Sequence, residues 1–164
     1  MFRDKYIFEF LDLPEPHSEN DLQKGLVKNL KQFILEIGRD FTFIGEEYRL
    51  QVGKQDFYID LLFYHRELQC LVAFELKVSA FQPEFLGKLN FYLEALDREV
   101  KKPHENPSIG VLLCTENDKE IVEIALSRNM SPALVAEYET KLLDKDLLRR
   151  MLREWMENVV VNED

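Results

Sequence analysis

Residues 56–77 read DFYIDLLFYHRELQCLVAFELK, and the fold follows from how this stretch is divided. Two apolar runs, Phe57–Tyr64 and Leu68–Leu76, flank a polar turn at His65-Arg66-Glu67, the pattern of two adjacent strands. Asp60 interrupts the first run, and Glu75 and Lys77 close the second. Side chains alternate faces along a strand, so Glu75 and Lys77 share a face, about 7 Å apart at roughly 3.3 Å per residue. Tyr58, Asp60 and Leu62 are expected to share another. A carboxylate taken out of water costs several kcal/mol unless something compensates it. Two acids and an amine in an oily hairpin therefore require an explanation.

Outward from the hairpin, the chain reads as alternating elements of one α/β domain. Upstream, Ser18 or Asn20 caps a helix that runs to Ile37 and stops at Gly38. Leu22, Leu26, Val27, Leu30, Phe33, Ile34 and Ile37 form its core-facing stripe, and Gly25, Asn29, Gln32 and Glu36 fall on one flank. Phe41–Val52 predicts a strand with Tyr48, Leu50 and Val52 on one face and Arg49 and Gln51 on the other. Gly53-Lys54-Gln55-Asp56 connects it to the central pair. Downstream, Pro83 and Glu84 suit a helix N-terminus, and the helix extends to Asp97 with Phe85, Leu89, Tyr92, Leu93 and Leu96 inward. Lys88 and Asn90 lie off that face. Ile109–Cys114 is apolar throughout, as in a strand buried on both faces. A short helix (118–127), a short strand (134–137) and a last helix capped by Asp144 complete the pattern. The string is αβββαβ followed by αβα. The helix between the third and fourth strands implies parallel pairing in part of the sheet, hence a mixed α/β sandwich.

The totals agree with one globular domain. The chain has 164 residues, 46% of them hydrophobic, with no apolar run long enough to span a membrane. Residues 1–17, with Pro14 and Pro16, read as a lead-in segment or linker that packs on the domain or on a dimer mate, residues 18–157 as the domain, and 158–164 as a tail. The two cysteines, Cys70 and Cys114, sit in separate apolar runs without zinc-site spacing, which suggests free thiols and a cytoplasmic protein. The net charge of −10 argues against tight, autonomous gripping of nucleic acid, but it does not oppose a carboxylate metal site.

If the strands bring Asp60 and Glu75 together, two hard oxygen ligands meet at a strand end. That set suits Mg²⁺ (or Mn²⁺), which accepts carboxylates, keeps waters and pairs with phosphates. Lys77 beside it serves to orient a water and offset phosphate charge. Glu36 is the candidate third acid. The bland alternative is a structural ion pair between Lys77 and either acid.

In these residues the chain resembles the PD-(D/E)XK, or restriction-endonuclease-like, nucleases, whose shared core is αβββαβ. More closely, FYIDLLFYHRELQCLVAFELK, FQPEFLGKLNFYLEALD, NPSIGVLLC and AEY are similar to the YhcG-type family of bacterial proteins, over residues 20–140. The resemblance implies a restriction-endonuclease-like α/β fold with a central mixed sheet flanked by helices. It implies Asp60, Glu75 and Lys77 as the catalytic triplet, with Asp60 and Glu75 on the metal and Glu36 as the acid of the first helix. It implies DNA as the substrate and a preceding N-terminal domain that contributes DNA binding. Lys88 and Asn90 match a Gly-Lys-x-Asn-Phe-Tyr stretch of the family and become candidate nucleic-acid contacts. Two readings follow: a metal-dependent endonuclease domain, or a nuclease-fold interaction module that acts through dimerisation or a protein partner. A junction resolvase working as a homodimer is a third.

Overall fold

The computed structural model describes residues 6–10 and 19–114, together with the helical positions 147, 150 and 154. The expected elements at 118–127 and 134–137 lie outside these residues, as does most of the final helix.

The described elements are β1 (Tyr6–Phe10), α1 (Glu19–Ile37), β2 (Phe41–Val52), β3 (Gln55–His65), β4 (Cys70–Lys77), α2 (Pro83–Glu99) and β5 (Asn106–Cys114). They build a five-stranded sheet in the order β1-β5-β4-β3-β2. β2, β3 and β4 are an antiparallel meander, whereas β4 and β5, joined across α2, run parallel. This is the expected mixed sheet flanked by helices. The sequence reading did not foresee β1: Tyr6–Phe10 is a fifth strand, parallel to β5 with Tyr6 opposite Gly110.

Each helix covers one face. On one side Leu26, Leu30, Phe33 and Ile34 of α1 pack on Leu61, Phe63, Val72, Phe74 and Leu76. On the other, Leu89, Tyr92, Leu93 and Leu96 of α2 pack on Leu50, Ile59, Leu62, Ala73 and Leu112. β4 and β5 are buried on both faces, which is why they read as unbroken apolar runs. Gly110 lets α2 approach closely, since a Cβ there would lie 2.8 Å from a Leu89 methyl. The C-terminal end of α2 is tied to β5 by Asp97 Oδ1, which accepts both the N–H and the Oγ–H of Ser108 at 2.9 and 2.7 Å.

The turns differ in detail from expectation. β2 and β3 are joined by Gly53-Lys54 alone, with Gly53 at φ 63°, the left-handed conformation a tight hairpin demands. His65 is not a turn residue but the last of β3. It is buried, its Nδ1 accepts the Leu68 N–H at 3.0 Å, and its ring packs edge-on to Phe41. The turn proper is Arg66–Gln69, with Gln69 at φ 53°.

Candidate active site

The site lies where β3 and β4 part. Their pairing runs from His65 opposite Cys70 to Leu61 opposite Phe74 and then ends. One step further the register sets Asp60 against Glu75, and there the side chains replace the ladder. Glu75 Oε1 accepts the Asp60 N–H at 3.1 Å, and Asp60 Oδ2 accepts the Leu76 N–H at 2.8 Å. The two acids thus cap backbone donors that the diverging strands would leave unpaired.

Asp60 also marks a change of face. Leu61 and Phe63 belong to the α1 side, yet Ile59 joins Leu62 on the α2 side. Strict alternation would put residues 59 and 61 together. Across the hairpin, Glu47 sits level with Asp60, between the pairs Glu46–Leu61 and Tyr48–Ile59, and has φ 47°. A shift in register between Phe43 and Gly45 lies just before it. The expected grouping of Tyr58 with Asp60 and Leu62 on one face therefore does not form. Ile59 takes the buried position, and Tyr58 is 54% exposed.

Electrostatics follow from burial. Glu75 is only 5% exposed, and burial, reinforced by the neighbouring Asp60 charge, pushes its carboxyl up to about 8 against the opposing pull of Lys77 and Lys88. Asp60 is raised as well, mainly by burial. The Leu76 N–H, the Lys77 charge, the Glu75 carboxyl and the Gln23 amide all work against that rise. Tyr92, on α2, feels the same pair: burial and then the charges of Glu75 and Asp60 push its hydroxyl up to about 12. Lys77 is half-buried, with Nζ 5.5 Å from the centre of the Phe85 ring.

Four of the predicted site residues converge here. Asp60, Glu75 and Lys77 form the centre, and Lys88, on the exposed side of α2, is near enough to act on Glu75. Its Nζ lies 5.9 Å from the Tyr92 ring centre. Asn90 is half-buried in α2, its Oδ1 shielded from solvent without a hydrogen-bond partner.

Glu36 does not belong to the site. Among the described side chains of α1, Gln23 reaches it, its Nε2 donating to the Leu76 carbonyl at 3.0 Å. Glu36 follows thirteen residues later, about 20 Å along the axis at roughly 1.5 Å per residue. It lies beside the opposite end of β3, where the Arg66 N–H bonds to the Asp40 carbonyl. Its helical flank was legible from spacing, but which end of the helix meets the strand ends was not.

Sequence reasoning also missed a cavity of about 410 Å³ between α1 and β2, lined by Gln23, Lys24, Val27, Lys28, Glu46, Glu47 and Asp60. Its one signal was the spacing of Lys24, Lys28 and Lys31, which puts three cations on one stripe of α1.

Among the described residues, no group of three or more His, Cys, Asp and Glu side chains is placed to hold a metal. The donor set is a carboxylate pair, which matches the needs of a hexacoordinate Mg²⁺ retaining waters, and not those of a tetrahedral zinc. Both acids are raised by burial, so a divalent cation would relieve the penalty the pair now bears. The site's chemistry therefore fits such an ion.

Comparison with known proteins gives the chain's family. The family described as the YhcG PDDEXK nuclease domain matches residues 1–153. A curated Escherichia coli (strain K12) protein, "Putative nuclease YhcG", is 38% identical over 146 residues, which are 89% of this chain and 39% of that protein. The chain thus spans about two fifths of that relative's length. Among solved structures, a repair endonuclease from Pyrococcus abyssi is similar at a TM-score of 0.46 and 16% identity, over 70% of this chain and 46% of that one. With its family's nuclease profile covering residues 1–153, this chain belongs to the YhcG PDDEXK nuclease domain family.

Proposed function

We propose that the domain is an endonuclease that hydrolyses phosphodiester bonds in DNA, with Asp60 and Glu75 holding Mg²⁺ (or Mn²⁺). The observation that carries this reading is the convergence of Lys77 on the Asp60–Glu75 pair at the β3–β4 fork, close enough for its charge to act on both acids. A bound divalent ion would polarise the phosphodiester and lower the pKa of a coordinated water. The chain's own groups prepare that chemistry. The Asp60 N–H and Leu76 N–H fix one oxygen of each carboxylate, so the acids meet a ligand without first reorganising. Burial keeps bulk water from Glu75. Lys77, held against Phe85, orients the attacking water and offsets charge gathering on the phosphate. Lys88 adds positive charge from the α2 side, as a phosphate contact. Cytoplasmic location, association into homodimers and help from a preceding N-terminal DNA-binding domain are part of the same proposal.

The test is supercoiled plasmid with Mg²⁺ or Mn²⁺, run with the parent chain, Asp60→Asn and Lys77→Ala. Cleavage by the parent that falls at least a hundredfold in both variants is expected. Equal hydrolysis in all three would identify a contaminant and end the proposal. The net charge of −10 favours a second reading, an interaction module on the nuclease fold. Calorimetry separates the two: that reading requires no Mg²⁺ or Mn²⁺ heat that disappears in Asp60→Asn.

A further inference from the structure

Lys24 and Lys28 lie on the α1 wall of the 410 Å³ cavity, and Asp60 lies in its lining. Both lysines are exposed, one helical turn apart, so their ammonium groups reach the same side of the opening. Lys31 continues the stripe, but it is engaged: its Nζ is 3.8 Å from Glu46 Oε1 and over the Phe43 ring. The facing wall is acidic, formed by Glu46 and Glu47 of β2. An anion entering this space is therefore attracted to one wall and repelled from the other. The volume is that of a small-ligand pocket, of the order a single nucleotide needs. In a chain of net charge −10, a lysine-walled cavity that ends on a candidate metal ligand is an unusual place to keep two cations.

We propose that this cavity seats one nucleotide of the DNA strand next to the cleaved bond, with Lys24 and Lys28 taking its phosphate. The inference rests on the nuclease reading and adds a second contact surface to it, on the face of the sheet opposite Lys88. The two lysines act as positioning residues. They fix where the strand lies relative to Asp60 and touch no reacting atom. Glu46 and Glu47 keep the phosphate off the β2 wall and so set which way the nucleotide points.

The experiment measures binding of a fluorescent duplex by anisotropy across 50–200 mM salt, with Ca²⁺ as the divalent ion, and plasmid cleavage in Mg²⁺. The proteins are the full chain, Lys24→Ala/Lys28→Ala, and the control Lys102→Ala. Lys102 lies in the α2–β5 loop, by the end of β5 that pairs with Cys70, away from the carboxylates. The double variant should bind at least tenfold more weakly at 50 mM salt. Its plot of log affinity against log salt should lose about 2 from its slope, one for each phosphate-contacting lysine. KM should rise while kcat stays within threefold, and Lys102→Ala should match the parent. A double variant with the parent's affinity and slope overturns the proposal while leaving the nuclease reading intact. A parent chain that neither binds nor cleaves overturns both. Circular dichroism and metal calorimetry on the double variant guard against unfolding. If it is misfolded, Lys24→Gln and Lys28→Gln singly must each lose about 1 from the slope.

Discussion

Replacing Glu75 by Gln should stabilise the protein above neutral pH and change little below pH 5. Glu75 is buried, and its carboxyl is raised from 4.5 to about 8. The folded state then binds a proton that the unfolded state has released, throughout the window between these values. Stability contributed by the protonated acid is fully present below 4.5 and is lost as pH rises through about 8. At 1.36 kcal/mol per pH unit, the loss between pH 5 and 8.5 approaches a ceiling on the order of 4 kcal/mol. Gln keeps the oxygen that accepts the Asp60 N–H and carries no charge to desolvate. For a domain of this size each kcal/mol moves Tm by about 2–4 °C. Thermal unfolding of the metal-free proteins should therefore show Glu75→Gln within a few degrees of the parent at pH 5 and roughly 5–15 °C above it at pH 8.5. A variant that is destabilised equally at both pH values would refute the reasoning, because it would mean that the folded site already compensates the ionised carboxylate.

The same linkage predicts that millimolar Mg²⁺ or Mn²⁺ raises the parent's Tm more at pH 8.5 than at pH 5, since ligation requires the deprotonated pair; an equal shift at both pH values in calorimetry would contradict it. Gly110→Ala, whose Cβ would meet Leu89 at 2.8 Å, should cost about 1–3 kcal/mol in urea unfolding, because Leu89 is itself packed in the α2 core. Glu36→Ala should leave plasmid cleavage unchanged, being at the far end of α1, and a hundredfold loss would restore it to the site. Cys70 and Cys114, buried and with thiols pushed up to about 12, should resist an aromatic disulfide reagent until the protein is unfolded by urea.

The parts of the fold that were legible in the sequence are those set by periodicity. The apolar stripe of α1, the two-face apolarity of β4 and β5 and the crossover helix α2 each give one reading, and the mixed sheet follows. Tyr6–Phe10 escaped because two prolines beyond it suggested a lead-in, while its partner β5 is a hundred residues away in sequence. The site was legible where it depends on neighbouring strands: hairpin register brings Asp60 to Glu75, and period-two spacing adds Lys77. It was illegible where alternation fails. Nothing local announces that Glu47 adopts a left-handed conformation or that Ile59 turns inward with Leu62. Nor does helical spacing tell which end of α1 meets the strand ends, which is how Glu36 stood in for Gln23.

The fork between β3 and β4 has a consequence for reading relatives of this chain. Both carboxylates are also the last rungs of the sheet, closing off backbone donors that no carbonyl reaches. Selection for a properly closed sheet alone is enough to retain an acceptor at each position, whether or not the protein still cuts anything. Finding the pair intact in a homologous sequence therefore measures architecture before it measures catalysis. Lys77, which caps no backbone group among the described residues, is the more telling residue to follow when asking which lineages remain competent.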